Sequence, residues 1–244
     1  MLDVKKSATI KMQEKIIALN AGHEPKTLDS LMFGNGCGAG TSTYHGSQKG
    51  YYHANSLSIP SGEFKGVINE NSFTQDMVER ISGFLQREGY QIVFSRPSQE
   101  YWVPERYSDN LAYRIDFLNR SGAGLILDIH ANGNPDSDKK GFSIIVDNSH
   151  PESEKYQRSL NLAELVFREM EELEFRDRRI SARAIHQRAD LRVIRDTFMP
   201  AILIECGYMT NPQDMGLLAM PEYRILLSER IASGVLKYFS KDKN

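Results

Sequence analysis

The sequence predicts an α/β fold: one domain built on a mostly parallel, twisted sheet with helices on both faces. Three observations carry this. Short apolar runs such as "IIALN" (16–20), "LILDIH" (125–130) and "AILIE" (201–205) are bounded by Gly, Pro or polar residues, as buried strands are. Between them lie amphipathic stretches of ten or more residues with the helical repeat. Strands separated by helices of that length need crossover connections, which favour parallel pairing with both sheet faces covered.

Each element follows from its own pattern. Strand 16–20 breaks at "AGHEP", where glycine permits a sharp turn and His23 stands just past the strand end. A stretch from about 24 to 67, dense in Gly, Ser, Tyr and Asn, reads as an expanded loop, and loops of that length in compact domains are usually functional. From Asn71, Phe73, Met77, Ile81 and Phe84/Leu85 recur every three or four residues until Gly89 stops the helix. "YQIVFS" (90–95) is the next strand, followed by a helix over about 105–120 with Leu111, Ile115 and Leu118 on one face. Gly122 and Gly124 lead into the strand ending at His130, and "GFSIIV" (141–146) gives another. A helix over about 153–174 buries Leu162, Val166, Phe167, Met170 and Leu173. A strand is expected around Leu191–Ile194, then "AILIE", then a last helix over about 221–239 carrying Leu227, Ile231, Val235 and Phe239. Residues 1–14 form a polar N-terminal arm, and 15–244 form the domain.

Composition narrows the function. With 244 residues, 40% hydrophobic and 25% charged, the chain can bury one good core. Its 30 basic and 32 acidic residues leave a net charge of −2, without the basic field that a nucleic-acid partner needs. No apolar run approaches the roughly 18 residues of a membrane span. "MLDVKKSATIKMQEK" lacks the apolar segment and cleavage site of a signal peptide, so synthesis and residence in the cytoplasm are expected. Cys37 and Cys206 form neither a disulfide framework nor a metal knuckle, and Cys206 reads as packing.

Chemistry gathers at strand ends, where open α/β sheets bind ligands. His23 follows the first strand, His130 closes "LILDI", and Glu205 closes "AILI". A carboxylate on a core strand costs several kcal/mol unless it is paired or placed there for its raised proton affinity. Two imidazoles with one carboxylate make a common catalytic zinc shell that leaves a fourth position open. Glu70, at the start of the first helix, is the best placed third ligand, with Glu24, Glu63 and Asp128 as alternatives. Asp128 shares a strand face with His130 and could orient it or bind metal itself.

At these residues the chain resembles the zinc-dependent N-acetylmuramoyl-L-alanine amidases of the amidase-3 type, peptidoglycan hydrolases of bacteria and phage lysins. The resemblance rests on four motifs in order: "IIALNAGHEP"; Glu70 in "INENSFTQDMVERISGFLQREGYQIVFSR"; Leu111, Arg114, His130 and Asn132 in "LAYRIDFLNRSGAGLILDIHAN"; and "MPAILIECGYMTNPQDMGLL". It implies a phosphorylase/hydrolase-like fold, one Zn²⁺ held by His23, Glu70 and His130, and Glu205 as the catalytic carboxylate. It further implies hydrolysis of the amide between N-acetylmuramic acid and L-alanine, with peptidoglycan as partner. The chain departs from the family at the expanded 24–67 loop and at Asp128, where the family has serine.

Without a signal peptide, such an enzyme would reach the wall after release or delivery, by a holin or a phage tail. Tyr51, Tyr52 and His53, with Tyr44 and His45, could clasp sugar or stem peptide from the loop, and Asn132 could orient substrate or cap the turn after His130. Arg114 reads as structural, and His150 and His186 as surface or packing residues. Arg176, Arg178, Arg179, Arg183, Arg188, Arg192 and Arg195, interleaved with Asp177, Asp190 and Asp196, could meet peptide carboxylates but read as a solvated, paired face. A zinc carboxypeptidase is the alternative enzyme, although Lys26 stands where its HxxE motif needs glutamate. A non-catalytic peptidoglycan-binding module is the other alternative.

Overall fold

The computed structural model describes residues 13–22, 51–53, 67–95 and 107–241. The strands are β1 (Gln13–Ala21), β2 (Tyr51–His53), β3 (Val67–Asn69), β4 (Gln91–Phe94), β5 (Ala123–Asn132), β6 (Phe142–Val146), β7 (Ala182–Gln187) and β8 (Ala201–Tyr208). The helices are α1 (Glu70–Arg87), α2 (Tyr107–Arg120), α3 (Glu154–Glu171), α4 (Arg192–Asp196), α5 (Pro212–Leu218) and α6 (Pro221–Lys241).

Six strands form one sheet in the order β4-β1-β5-β8-β6-β7, and β2 pairs antiparallel with β3 in a separate ribbon. β4, β1, β5 and β8 are mutually parallel; β6 lies antiparallel to β8, and β7 parallel to β6. The mostly parallel sheet expected from sequence is therefore present, with its last two strands reversed. That reversal has a functional consequence: the first residues of β6 and β7 lie beside the carboxyl ends of β5 and β8.

The two faces carry unequal cores. Ile17, Leu19, Leu125, Leu127, Ile202, Ile204 and Ile144 point to one face, where α1, α3 and α6 bring Phe73, Met77, Val166, Ile231 and Val235. The opposite face holds a smaller cluster around Ala18, Ile126, Leu203 and Ile145, covered by Leu118 of α2 and by Val193 and Ile194 of α4. Alternation along each strand produces this division, because successive side chains point to opposite faces. On the larger face α3 and α6 approach closely at Gly234, where an added Cβ would come within 2.6 Å of Val166 Cα.

One sequence expectation is corrected. Leu191–Ile194 does not form a strand; Arg192–Asp196 is the short helix α4, and the strand of this region is β7, at 182–187. Four residues with three apolar ones, as in Leu191–Ile194, cannot distinguish strand from helix, and here tertiary partners decide. Lys155 Nζ donates to the carbonyls of Ile194 (2.7 Å), Arg195 (2.9 Å) and Thr197 (2.6 Å), satisfying groups that a helix end leaves open. α5 was absent from the sequence reading as a helix. It starts at Pro212 behind an Asn211 cap whose side chain accepts from the N–H groups of Gln213 (3.0 Å) and Asp214 (3.1 Å).

Candidate active site

The site forms where β5 and β8 end. His130 and Glu205 are register partners on these adjacent strands, so their side chains leave the same sheet face side by side. Glu70 reaches the same point from the first turn of α1. Its Oε1 lies 3.0 Å from His130 Nδ1 and accepts from the Ala131 N–H at 3.1 Å, and the whole residue is buried.

The other imidazole nitrogen faces Asp128, with Nε2 3.3 Å from Oδ1. Asp128 in turn accepts from Asn20 Nδ2 at 2.5 Å, and Asn20 Oδ1 accepts from Ser95 Oγ and from Arg114 Nη1. Arg114 also donates to the Ala21 carbonyl at 3.0 Å. This buried network fixes the ring from behind, so Asp128 orients His130. Burial alone would lower the pKa of His130, but the Asp128 and Glu70 carboxylates outweigh it and hold it well above the usual histidine range.

Gly22 explains the "AGH" turn. A Cβ there would fall 2.3–2.6 Å from three atoms of the His130 ring, so only glycine lets the chain pass against the imidazole. Its carbonyl accepts from Thr74 Oγ1 of α1 at 2.8 Å, and its N–H donates to the Ile129 carbonyl at 2.9 Å. β1, β5 and α1 are thereby locked together at the site.

Glu205 has one carboxylate oxygen, Oε2, that is buried without a hydrogen-bond partner. Its pKa is raised to about 7, chiefly by burial; the positive His130 opposes this, while Glu70 and Asp128 add to it. After Glu205 the strand bulges: His130 and Asn132 face Glu205 and Tyr208, so β8 spends one residue more than β5 across Cys206–Gly207. Asp214 fixes the bulge by accepting from the N–H groups of Tyr208 (2.9 Å) and Gly141 (2.7 Å).

Among the described residues, a groove of 410 Å³ opens beside Glu205 on the face with the smaller core, and its walls include His130, Ser143, Arg183, His186, Arg188 and Tyr208. Asn132 also lines it, and its Oδ1 accepts from the Gly133 N–H at 2.9 Å, so it caps the turn as one of its two expected roles requires. Cys206 is buried, with its thiol pushed well above the ordinary range by burial, as a packing residue should be. Arg188 pairs with Asp190, and Arg192 and Arg195 with Asp196, as a solvated face would. Arg183 and His186 line the groove together with Arg188; the sequence offers Arg183 only as one of a series that could meet peptide carboxylates, and His186 only as a surface or packing residue.

Several expected residues are not brought into view. His23, Glu24, Tyr44, His45 and Glu63 lie outside the described residues, as do residues 1–12 and most of the 24–67 loop. Tyr51, Tyr52 and His53 form β2, whose side chains are likewise outside the description. Among the described residues, no three His, Cys, Asp or Glu side chains make a metal-binding group.

An acid beside an oriented imidazole, at the carboxyl edge of an α/β sheet and open to a groove, is an arrangement suited to the proton transfers of hydrolysis, and the family match makes the class a hydrolase. Residues 17–237 match the amidase-3 family, described as N-acetylmuramoyl-L-alanine amidase, and the chain belongs to that family. It is an enzyme of the peptidoglycan amidase type. The germination-specific N-acetylmuramoyl-L-alanine amidase of Bacillus subtilis is 25% identical over 187 residues, covering 74% of this chain and 75% of that one. The N-acetylmuramoyl-L-alanine amidase LytC of the same organism is 26% identical over 180 residues, covering 73% of this chain but 33% of the relative. Among solved structures, the CwlD amidase of Clostridioides difficile, in complex with the GerS lipoprotein, shares the fold with a TM-score of 0.68 at 20% identity, covering 94% of this chain and 100% of that one. No described helix is long and apolar enough to cross a membrane.

Proposed function

We propose that this chain hydrolyses the N-acetylmuramoyl-L-alanine amide with one zinc ion, held by His23, Glu70 and His130, and with Glu205 as the proton-transferring carboxylate. The observation that carries it is the register pairing of Glu205 with His130, which sets a carboxylate of pKa about 7 beside the candidate metal ligand. The donor set suits the ion. His130 Nδ1 and Glu70 Oε1, 3.0 Å apart, bring together an imidazole nitrogen and a carboxylate oxygen, the ligand types that zinc takes. His23 is the residue bonded to Gly22, which packs on the His130 ring.

Bound zinc would supply Lewis acidity, polarising the amide carbonyl and lowering the pKa of water toward about 7. Glu205 takes the proton from the attacking water and returns it to the leaving nitrogen, which a group titrating near neutrality can do in both directions. Asp128 keeps the His130 ring in place throughout. The groove beside Glu205 receives the peptide side of the substrate.

Separation of metal binding from turnover tests these assignments. Glu205→Gln is expected to retain about one zinc per chain while losing roughly 10²–10⁴-fold in turnover. Glu70→Ala and His130→Ala are expected to lose zinc. Most of the activity surviving in Glu205→Gln, or full zinc content in His130→Ala, would refute the roles.

A further inference from the structure

We infer that Arg183 forms an anion-reading subsite that selects stem peptides carrying a free carboxylate on the second residue. The inference rests on the amidase reading and concerns the peptide end of the same groove.

Arg183 owes its place to an irregularity in β7. Phe142 pairs with Ala182 and Ser143 with Ala184, so Arg183 is the extra residue of a β-bulge, a feature that re-aims a side chain. Its stem fills the space left by Gly141, where an added Cβ would meet Arg183 Cγ at 2.6 Å. Its guanidinium lies 5.3 Å from the centroid of the Tyr208 ring and donates to the Tyr208 hydroxyl. Tyr208 is in turn held by Asp214 through its backbone N–H. Three separate contacts thus position one cation in the groove wall.

Asp214 feels the charge of that cation without forming an ion pair with it. Among the described residues no carboxylate lies within ion-pair distance of Arg183, whereas Arg188, Arg192 and Arg195 all have one. Arg188 engages Asp190 with both Nε and Nη2, so its fork is occupied. Arginine's planar donor array matches a carboxylate better than it matches sugar hydroxyls.

The spacing selects which carboxylate. Glu205, Ser143 and Ala184 are register partners across three neighbouring strands, so the Arg183 region lies about 10 Å from Glu205 at the usual strand separation. The second residue of an extended peptide lies about 7 Å from the scissile bond, and the arginine side chain spans the remainder. In bacterial stem peptides this residue is a γ-linked D-glutamate, whose α-carbon bears either a carboxylate or a carboxamide.

The test uses two N-acetylmuramoyl tripeptides ending in L-lysine that differ only in that α-carboxylate or α-carboxamide, assayed with the zinc-loaded full chain. The wild type should favour the carboxylate by about tenfold in kcat/KM. Arg183→Gln should bring the ratio close to one by slowing the carboxylate substrate, and Arg183→Lys should retain part of the preference. Equal cleavage of both substrates by the wild type, or an undiminished ratio in Arg183→Gln, overturns the inference alone. Failure of the wild type to cleave either at the muramoyl amide overturns the amidase reading, and the inference with it.

Discussion

His130 sits between two carboxylates, and that placement sets its proton as well as its orientation. With Asp128 on one nitrogen and Glu70 on the other, the metal-free imidazole holds its proton above the usual range even though burial opposes this. A zinc ligand must be neutral, so binding displaces that proton. Because the two carboxylates keep His130 charged to higher pH than a free imidazole, zinc affinity should climb with pH until the ring has lost its proton, by about tenfold per unit for each proton released. Calorimetry in buffers of different ionisation enthalpy counts the protons directly. A pH-independent affinity would show that Asp128 and Glu70 do not hold the imidazole charged. At this scale the sequence was informative where a residue type was out of place: Glu205 in a core strand and His130 at a strand end both announced themselves. Arg183 was legible only as one member of an arginine series that could meet peptide carboxylates; what singles it out is a bulge and the missing Cβ of Gly141, neither of which leaves a periodic trace.

Elements carry the site through close contacts that tolerate little extra volume. Gly22 couples β1 to β5 and α1 by lying against the imidazole and accepting from Thr74. Gly22→Ala would put a methyl group 2.3–2.6 Å from the ring atoms, and the ring, being the side-chain neighbour, must move. The expected outcome is a folded protein with zinc affinity reduced at least tenfold and turnover reduced with it, read by metal titration and by circular dichroism. Unchanged affinity would mean that the ring position is not what β1 provides. The strong helices α1, α3 and α6 were legible from their repeats, since each buries a stripe such as Phe73, Met77 and Ile81. α4 and β7 were not. The first is a five-residue helix whose carbonyl ends are satisfied by Lys155 from a distant element, and the second is an edge strand exposed at Arg183, His186 and Gln187.

For the whole molecule, an uneven sandwich around one sheet explains where the groove lies. Among the described residues, three long helices close one face over the larger core, while α2 and α4 pack on the other over a smaller one. At one end of that face β5 and β8 terminate and reversed β6 and β7 begin, so ligands and groove walls come from strands of both directions. The α/β class and the order of its main elements were readable from alternating runs and repeats. The reversal of β6 and β7 was not, because a strand of five or six residues has the same pattern in either direction.

The central claim, that this architecture cuts the muramoyl amide with zinc, is tested most directly by digesting purified peptidoglycan and identifying the products by mass. The account predicts stem peptides with a free amino-terminal L-alanine together with peptide-free glycan, abolished by chelator and restored by zinc. Intact muropeptides after digestion with the zinc-loaded protein, or cleavage between sugars or within the peptide, would contradict it.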